Sequence, residues 1–215
     1  LLDYLNKVGV EELRYVIMTH PHADHIGGMQ AVLERFEVEK IILPAFDKAP
    51  YPTTSIFESL LAAVVEQEVP AETAREGAVY PLGGGRFTVL QNGIATQDNY
   101  NLLSLVTLFE GGNLRVFSSG DAEKANETAL VEKSLDLQAE IYIAGHHGSS
   151  TSNTEALVQR VRPAVALISC GRNNSYGHPH REPLELFEQQ KAVVLRTDLQ
   201  GTVVLGRNAD GDIIY

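Results

Sequence analysis

Between Thr19 and Gly28 the chain reads Thr-His-Pro-His-Ala-Asp-His-Ile-Gly-Gly, and no other stretch restricts the possible folds as much. Three histidines and an aspartate, His20, His22, Asp24 and His25, fall within six positions, directly after Tyr15-Val16-Ile17-Met18 and Thr19. Imidazole and carboxylate ligate zinc, manganese or iron, and an apolar core has no use for four such groups packed together. In an extended turn residues i and i+2 point the same way, so His20 and His22 can grip one ion. Asp24 and His25, on the following bend, can grip a second. A strand pattern precedes the cluster and a helix pattern follows it, which separates it from a terminal histidine tag. The fold must bring a strand end and a helix start to face a metal centre.

The flanking sequence says what scaffold carries that centre. Leu1 to Val8 reads as the end of a helix stopped by Gly9, and Tyr15 to Thr19 as a buried strand. Met29, Val32, Leu33 and Phe36 recur at helical spacing behind Gly27-Gly28, and Lys40 to Leu43 is a second strand. Pro44 to Thr53 holds three prolines and predicts a loop able to overhang a site, while Ser55 to Glu68 predicts an apolar helix. From Arg86 the period changes to two. Strands follow at Phe87 to Gln91, Leu103 to Glu110 and Leu114 to Ser118, the last pair joined through Gly111-Gly112-Asn113. Helix and strand then alternate: helix Asn126 to Ser134, strand Glu140 to Ala144, helix Thr154 to Val161 behind a capping box at Ser152 to Glu155, strand Ala164 to Ser169. Pro183 suits the first turn of a helix running to Gln190, and strands Ala192 to Arg196, Thr202 to Leu205 and Asp212 to Tyr215 finish the chain. The alternation predicts an α/β fold, and no composition break divides residues 1–215, so a single domain is expected.

All seven histidines lie in loops leaving the C-terminal ends of these strands. His146 and His147 follow the strand ending at Ala144, and His178 and His180 the one ending at Ser169. Asp121, in Ser118-Ser119-Gly120-Asp121, leaves a fourth strand. In layered α/β folds such loops gather on one sheet edge, where active sites are built, so four loops predict one site. Asp121 can bridge two ions through its two oxygens; its plainer role is a helix cap. Gly145-His146-His147-Gly148-Ser149-Ser150 offers a ligand, a second imidazole and hydroxyls ahead of a helix whose N-terminus suits an anion. In the last loop His178 serves as general acid or phosphate donor, or His180 caps the helix at Pro183.

A net charge of −11 argues against a non-specific grip on a polyanion. Only residues 146–196 reverse the sign, with six basic side chains against four acidic, so an anionic substrate is tolerable there alone. No apolar run approaches the roughly 20 residues a bilayer crossing needs. The opening Leu-Leu-Asp, without methionine, predicts a fragment of a longer chain. The one cysteine, Cys170, excludes an internal disulfide and reads as a small buried hydrophobe.

The His20 to Gly28 stretch resembles the signature of the metallo-β-lactamase superfamily. Together with Asn101 to Val106, Ser119 to Glu123, Gly145 to Ser149, Asn174 to His180 and Arg196 to Thr202, it resembles the ComEC-like branch, over essentially all of the chain from Tyr15. That branch includes hydrolase domains of DNA-uptake proteins and stand-alone secreted or membrane-anchored relatives. The resemblance implies a four-layer αββα sandwich, here without its first strands, because the branch's opening Asp-Val-Gly-Gln-Gly-Asp and Leu-Ile-Asp-Ala-Gly stretches are absent. It implies two divalent ions, Zn2+ or Mn2+, with His20 and His22 on the first, Asp24, His25 and His146 on the second, and Asp121 bridging. The residues themselves do not decide between His146 and His147; the resemblance favours His146 and leaves His147 to contact substrate. Asp24, His147 and His178 are the candidate catalytic residues, and Asn101 and Ser149 the candidate substrate contacts. No histidine lies between His25 and His146, so Asn101 stands where the broader superfamily has a further ligand, and the first ion should be held more weakly. The implied activity is a two-metal phosphodiesterase or nuclease acting on DNA, outside the cytoplasm, secreted or tethered by membrane segments beyond this chain. The alternatives are hydrolysis of a non-nucleic phosphodiester or ester, and a non-catalytic metal-binding module.

Overall fold

The computed structural model describes residues 1–215. In chain order its elements are α1 (Leu2–Lys7), β1 (Glu12–Ile17), α2 (Ala23–Ile26), α3 (Met29–Arg35), β2 (Glu37–Leu43), α4 (Ser55–Glu66), β3 (Ala71–Thr73), β4 (Val79–Leu82) and β5 (Gly85–Asn92). There follow β6 (Leu105–Gly111), β7 (Leu114–Ser118), α5 (Lys124–Val131), β8 (Ile141–Ile143), α6 (Glu155–Val161), β9 (Val165–Ile168), α7 (Arg181–Gln189), β10 (Val193–Arg196), α8 (Thr197–Gln200), β11 (Gly206–Arg207) and β12 (Ile213–Ile214). Two sheets carry the fold. One has three parallel strands in the order β1-β2-β3; the other has seven, in the order β10-β9-β8-β7-β6-β5-β4.

Side-chain alternation builds the layers. On β1, Val16 and the adjoining Met18 turn to one face and pack with Val32, Leu33, Phe57 and Leu60 of α3 and α4. Tyr15 and Ile17 turn to the other and meet Tyr80, Phe87, Val89 and Leu105 of the large sheet. The far face of the large sheet buries Leu108, Phe117, Tyr142 and Ile168 against Leu130, Leu157, Val158 and Phe187 of α5, α6 and α7. Helix, sheet, sheet, helix is the four-layer αββα sandwich expected. Each fully buried side chain of this size is worth about 1.5–3 kcal/mol, and the three interfaces share them.

Several boundaries differ from expectation. Strands β3 and β4 were not foreseen: both are short, and Pro81 inside β4 is tolerated because β4 is the sheet's edge. The expected strand at 202–205 is instead irregular, Val203 and Leu205 packing on Ile141, Val165 and Leu195, and pairing begins only at β11. The expected capping box at Ser152 is displaced: Thr154 is the N-cap of α6, and the Ser152 hydroxyl donates to Ala122 O at 2.7 Å.

Strands β7 to β10 run parallel, so the loops after β7, β8 and β9 leave one edge. The loop after β1 reaches the same edge, pinned where Leu105 N donates to Thr19 O. That convergence creates the site.

Candidate metal centre

Six ligand-bearing residues come together at this edge in two groups that share one carboxylate. His20, His22 and Asp121 form the first; Asp24, His25, Asp121 and His147 form the second. In the first, His20 Nε2 lies 3.0 Å from His22 Nδ1 and 3.7 Å from Asp121 Oδ2. In the second, His25 Nε2 lies 3.1 Å from Asp121 Oδ1, and His147 Nε2 lies 3.2 Å from Asp24 Oδ2 and 3.3 Å from His25 Nε2. Ligands about 2 Å from a tetrahedral ion stand roughly 3.3 Å apart, so both groups have the spacing and the donor chemistry of divalent-metal sites.

Local structure fixes each donor. Thr19 Oγ1 and Ser104 Oγ lie 3.2 and 3.4 Å from His20 Nδ1, orienting the ring so that Nε2 faces the centre. Ser104 Oγ also accepts from Asp121 N, and Gly120, at φ +54°, lets the two loops meet: a Cβ there would stand 2.9 Å from Thr19 Cβ. Burial, then the neighbouring His25, pushes His20 down to about 3, so its ring is neutral and ready to ligate. Burial alone would raise Asp121, but its hydrogen bond with His25 and the surrounding imidazoles bring it down to about 2. The same pairing with Asp121 raises His25 despite its burial.

In the later loop both imidazoles face Asp121, His146 Nε2 and His147 Nε2 each lying 3.7 Å from Oδ2, and they differ in their other partners. His147, not His146, stands among the second group's donors; its Nδ1 reaches Ser169 O at 2.7 Å, which turns Nε2 inward. His146 Nε2 remains 3.7 Å from Asp121 Oδ2, and its Nδ1 is 3.0 Å from Thr151 Oγ1. Both residues adopt left-handed backbone, φ 50° and 54°, at a cost of roughly 1–2 kcal/mol each. Asn153 offsets that strain by bonding Gly145 N, Gly145 O and Ser149 O.

Ser149 is turned away from any substrate. It is buried, and its hydroxyl is spent on the Thr151 backbone and side chain. The expected anion site at the start of α6 is filled from within: the Glu127 carboxylate accepts from Asn153 N at 2.6 Å and Thr154 N at 2.7 Å. Asp121 is no cap, since α5 begins at Lys124 and its N-cap is Glu123. Nor does the His180 side chain cap α7; its Nδ1 accepts from Ser150 N at 2.9 Å and braces the loop.

The centre opens into a cavity of about 390 Å³ lined by His22, Asp24, Asn101, Asp121, His146, His147, Tyr176 and His178, together with Ala23. His178 stacks between Tyr176 and His147 at centroid distances of 5.7 and 6.1 Å. Burial and the adjacent imidazoles lower its pKa, which suits a neutral hydrogen-bond donor better than a proton donor. Asn101 is buried and reaches the cavity from the turn before β6. Cys170 is half-buried against the core, and its thiol, raised by burial and by its bond to Asp198, stays protonated. Sequence reasoning gave no role to Glu123, Asn99, Glu127 or Asn153, which hold these loops through contacts distant in sequence.

The profile of the Metallo-beta-lactamase superfamily matches residues 2–172. The chain is 33% identical over 204 residues to ComE operon protein 3 of Bacillus subtilis (strain 168), a match covering 94% of this chain and 26% of that protein. It is 30% identical over 205 residues to Recombination protein 2 of Haemophilus influenzae, covering 94% and 23%. The chain thus spans about a quarter of the length of these curated relatives. Among solved structures, the metallo-beta-lactamase fold protein YhfI of Bacillus subtilis has a TM-score of 0.59 at 13% identity, over 91% of this chain and 79% of that one. Igni18, a metallo hydrolase of Ignicoccus hospitalis, gives 0.57 at 15% identity, over 100% and 82%. At such identities these structures bear on the fold alone.

Proposed function

The chain belongs to the metallo-beta-lactamase superfamily, with competence-protein relatives of the ComEC-like branch, and from that footing we propose that it is a two-metal phosphodiesterase that cleaves DNA. The observation that carries this reading is Asp121, a buried carboxylate within reach of both donor groups at an open cavity, with Oδ2 3.7 Å from His20 and His147 and Oδ1 3.1 Å from His25. His20, His22 and Asp121 would hold one ion, and Asp24, His25, Asp121 and His147 the other, zinc or manganese in either case. Bound ions would supply Lewis acidity toward a phosphoryl oxygen and make a nearby water acidic near neutral pH.

The remaining work falls to the protein. Asp24, with an exposed carboxylate at the cavity wall, can receive a proton from the attacking water. His178, held by reciprocal bonds between its backbone and Asn174, presents its ring to the charge that develops on the phosphoryl group. The relatives are longer proteins, and we place this domain outside the cytoplasm, secreted or tethered by segments beyond this chain. No helix here is long and apolar enough to cross a membrane.

The test loads the chain with manganese or zinc and assays DNA and bis-p-nitrophenyl phosphate. Cleavage should fall at least about 10³-fold in Asp121→Ala, which removes a donor from both groups. Failure to cleave either substrate would overturn the reading. A second reading, hydrolysis of a non-nucleic phosphodiester or ester, is favoured by one feature: no lysine or arginine lines the cavity. Cleavage of the small diester without DNA would select it.

A further inference from the structure

Asn101 is the one cavity-lining side chain whose buried oxygen has no partner. Its residue is 7% exposed, and Oδ1 accepts no hydrogen bond. A buried amide oxygen left unpaired costs about 1–3 kcal/mol, so the fold retains it at a penalty unless something binds there. Its orientation is not free to reverse. Nδ2 donates to Glu123 Oε1 at 3.0 Å, and a carboxylate only accepts, so the amide nitrogen must face Glu123 and the oxygen must face away. Asn99 Nδ2 donates to the other oxygen, Oε2, at 3.1 Å, and Asn99 Oδ1 accepts from Asn101 N at 3.0 Å. Glu123 is itself fixed by Asn126, whose Oδ1 accepts from Glu123 N.

The first donor group has a position free for such an atom. It has three protein donors where the second has four, and Asn101 lines the same cavity as two of them, His22 and Asp121. We propose that Asn101 Oδ1 is the fourth donor of the first group, a neutral oxygen aimed by Glu123, which acts as a positioning residue. The assignment rests on the metal-centre reading above. It makes that group richer in oxygen than two imidazoles and one carboxylate, and therefore better matched to manganese than an all-imidazole set would be. It moves Asn101 from the substrate to the metal.

The test is calorimetric titration of the whole chain with Mn2+, and separately with Zn2+, with ion content per chain measured by elemental analysis and thermal unfolding as the control for folding. Asn101→Leu removes the oxygen. Glu123→Gln leaves Asn101 in place but offers a single oxygen to two amide donors, so the Asn101 amide can turn over. Each should weaken one of the two manganese sites by about 10–100-fold, the range for a lost orienting partner, and leave the other unchanged. Glu123→Gln keeps the proposal testable if Asn101→Leu unfolds. Wild-type chain that binds manganese, with folded variants that match it, would overturn this inference alone. Wild-type chain that takes up neither manganese nor, in the same kind of titration, zinc would overturn the metal centre and this inference together.

Discussion

His146 and His147 are adjacent in sequence, both line the cavity, and only His147 also meets Asp24 and His25. His147 is aimed at the centre by the Ser169 carbonyl, whereas His146 is drawn toward Thr151 and stands 3.9 Å from Glu123. His147→Ala should therefore abolish one of two bound ions in a titration with Mn2+, whereas His146→Ala should retain both. Loss of an ion in His146→Ala alone would restore the assignment read from sequence. Residue chemistry was legible to this level because ligand types cluster in the sequence. Which of two neighbouring rings also meets Asp24 and His25 was not, because it depends on left-handed dihedrals set by contacts with Gly120 and Asn153. Ser149 was misjudged for the same reason: a serine ahead of a helix resembles an anion ligand until its hydroxyl is seen bonded inside its own loop.

Among the elements, the α5–α6 junction does most to set the site. Glu127 on α5 accepts from the backbone N–H groups of Asn153 and Thr154, just ahead of α6, and so fixes the end of the loop bearing both histidines. Burial, its largest influence, raises the Glu127 pKa, with the Thr154 and Asn153 amides opposing. A carboxyl harder to ionise when folded favours folding fully below the unfolded pKa of about 4.3, and that contribution is lost as pH rises through the raised folded value. Glu127→Gln does not titrate. Urea unfolding across this range should show the stability of wild type relative to Glu127→Gln falling as pH rises, by about 1.4 kcal/mol for each unit the pKa is raised. A difference that grows with pH would refute the account. Long elements such as α4 and β5 were legible from their periodicity. The short strands β3, β4 and β11 were not, since their pairing partners, rather than their own pattern, make them strands.

For the molecule as a whole, charge sets how a polyanion can be held. A net −11 and a cavity without lysine or arginine leave metals and histidines to meet phosphate. Apparent DNA affinity should then change by less than about tenfold between roughly 50 and 200 mM salt, against about 10³–10⁵ for a protein making many phosphate contacts. A steep salt dependence, read from KM, would reveal a basic track contributed from elsewhere on the surface. An α/β fold and the gathering of four loops at one edge followed from the sequence alone, because hydrophobic period and strand-end placement are local properties of the chain, while the αββα layering came from the resemblance of its motifs to a known family. The nearness of Asp121 to both groups, the meeting of His147 with Asp24 and His25, the bonding of Glu127 to the chain entering α6 and the unpaired state of the buried Asn101 oxygen were decided only in the folded protein. Each depends on atoms from segments far apart in sequence meeting within hydrogen-bond or ligand distance, and no pattern along the chain encodes such a distance.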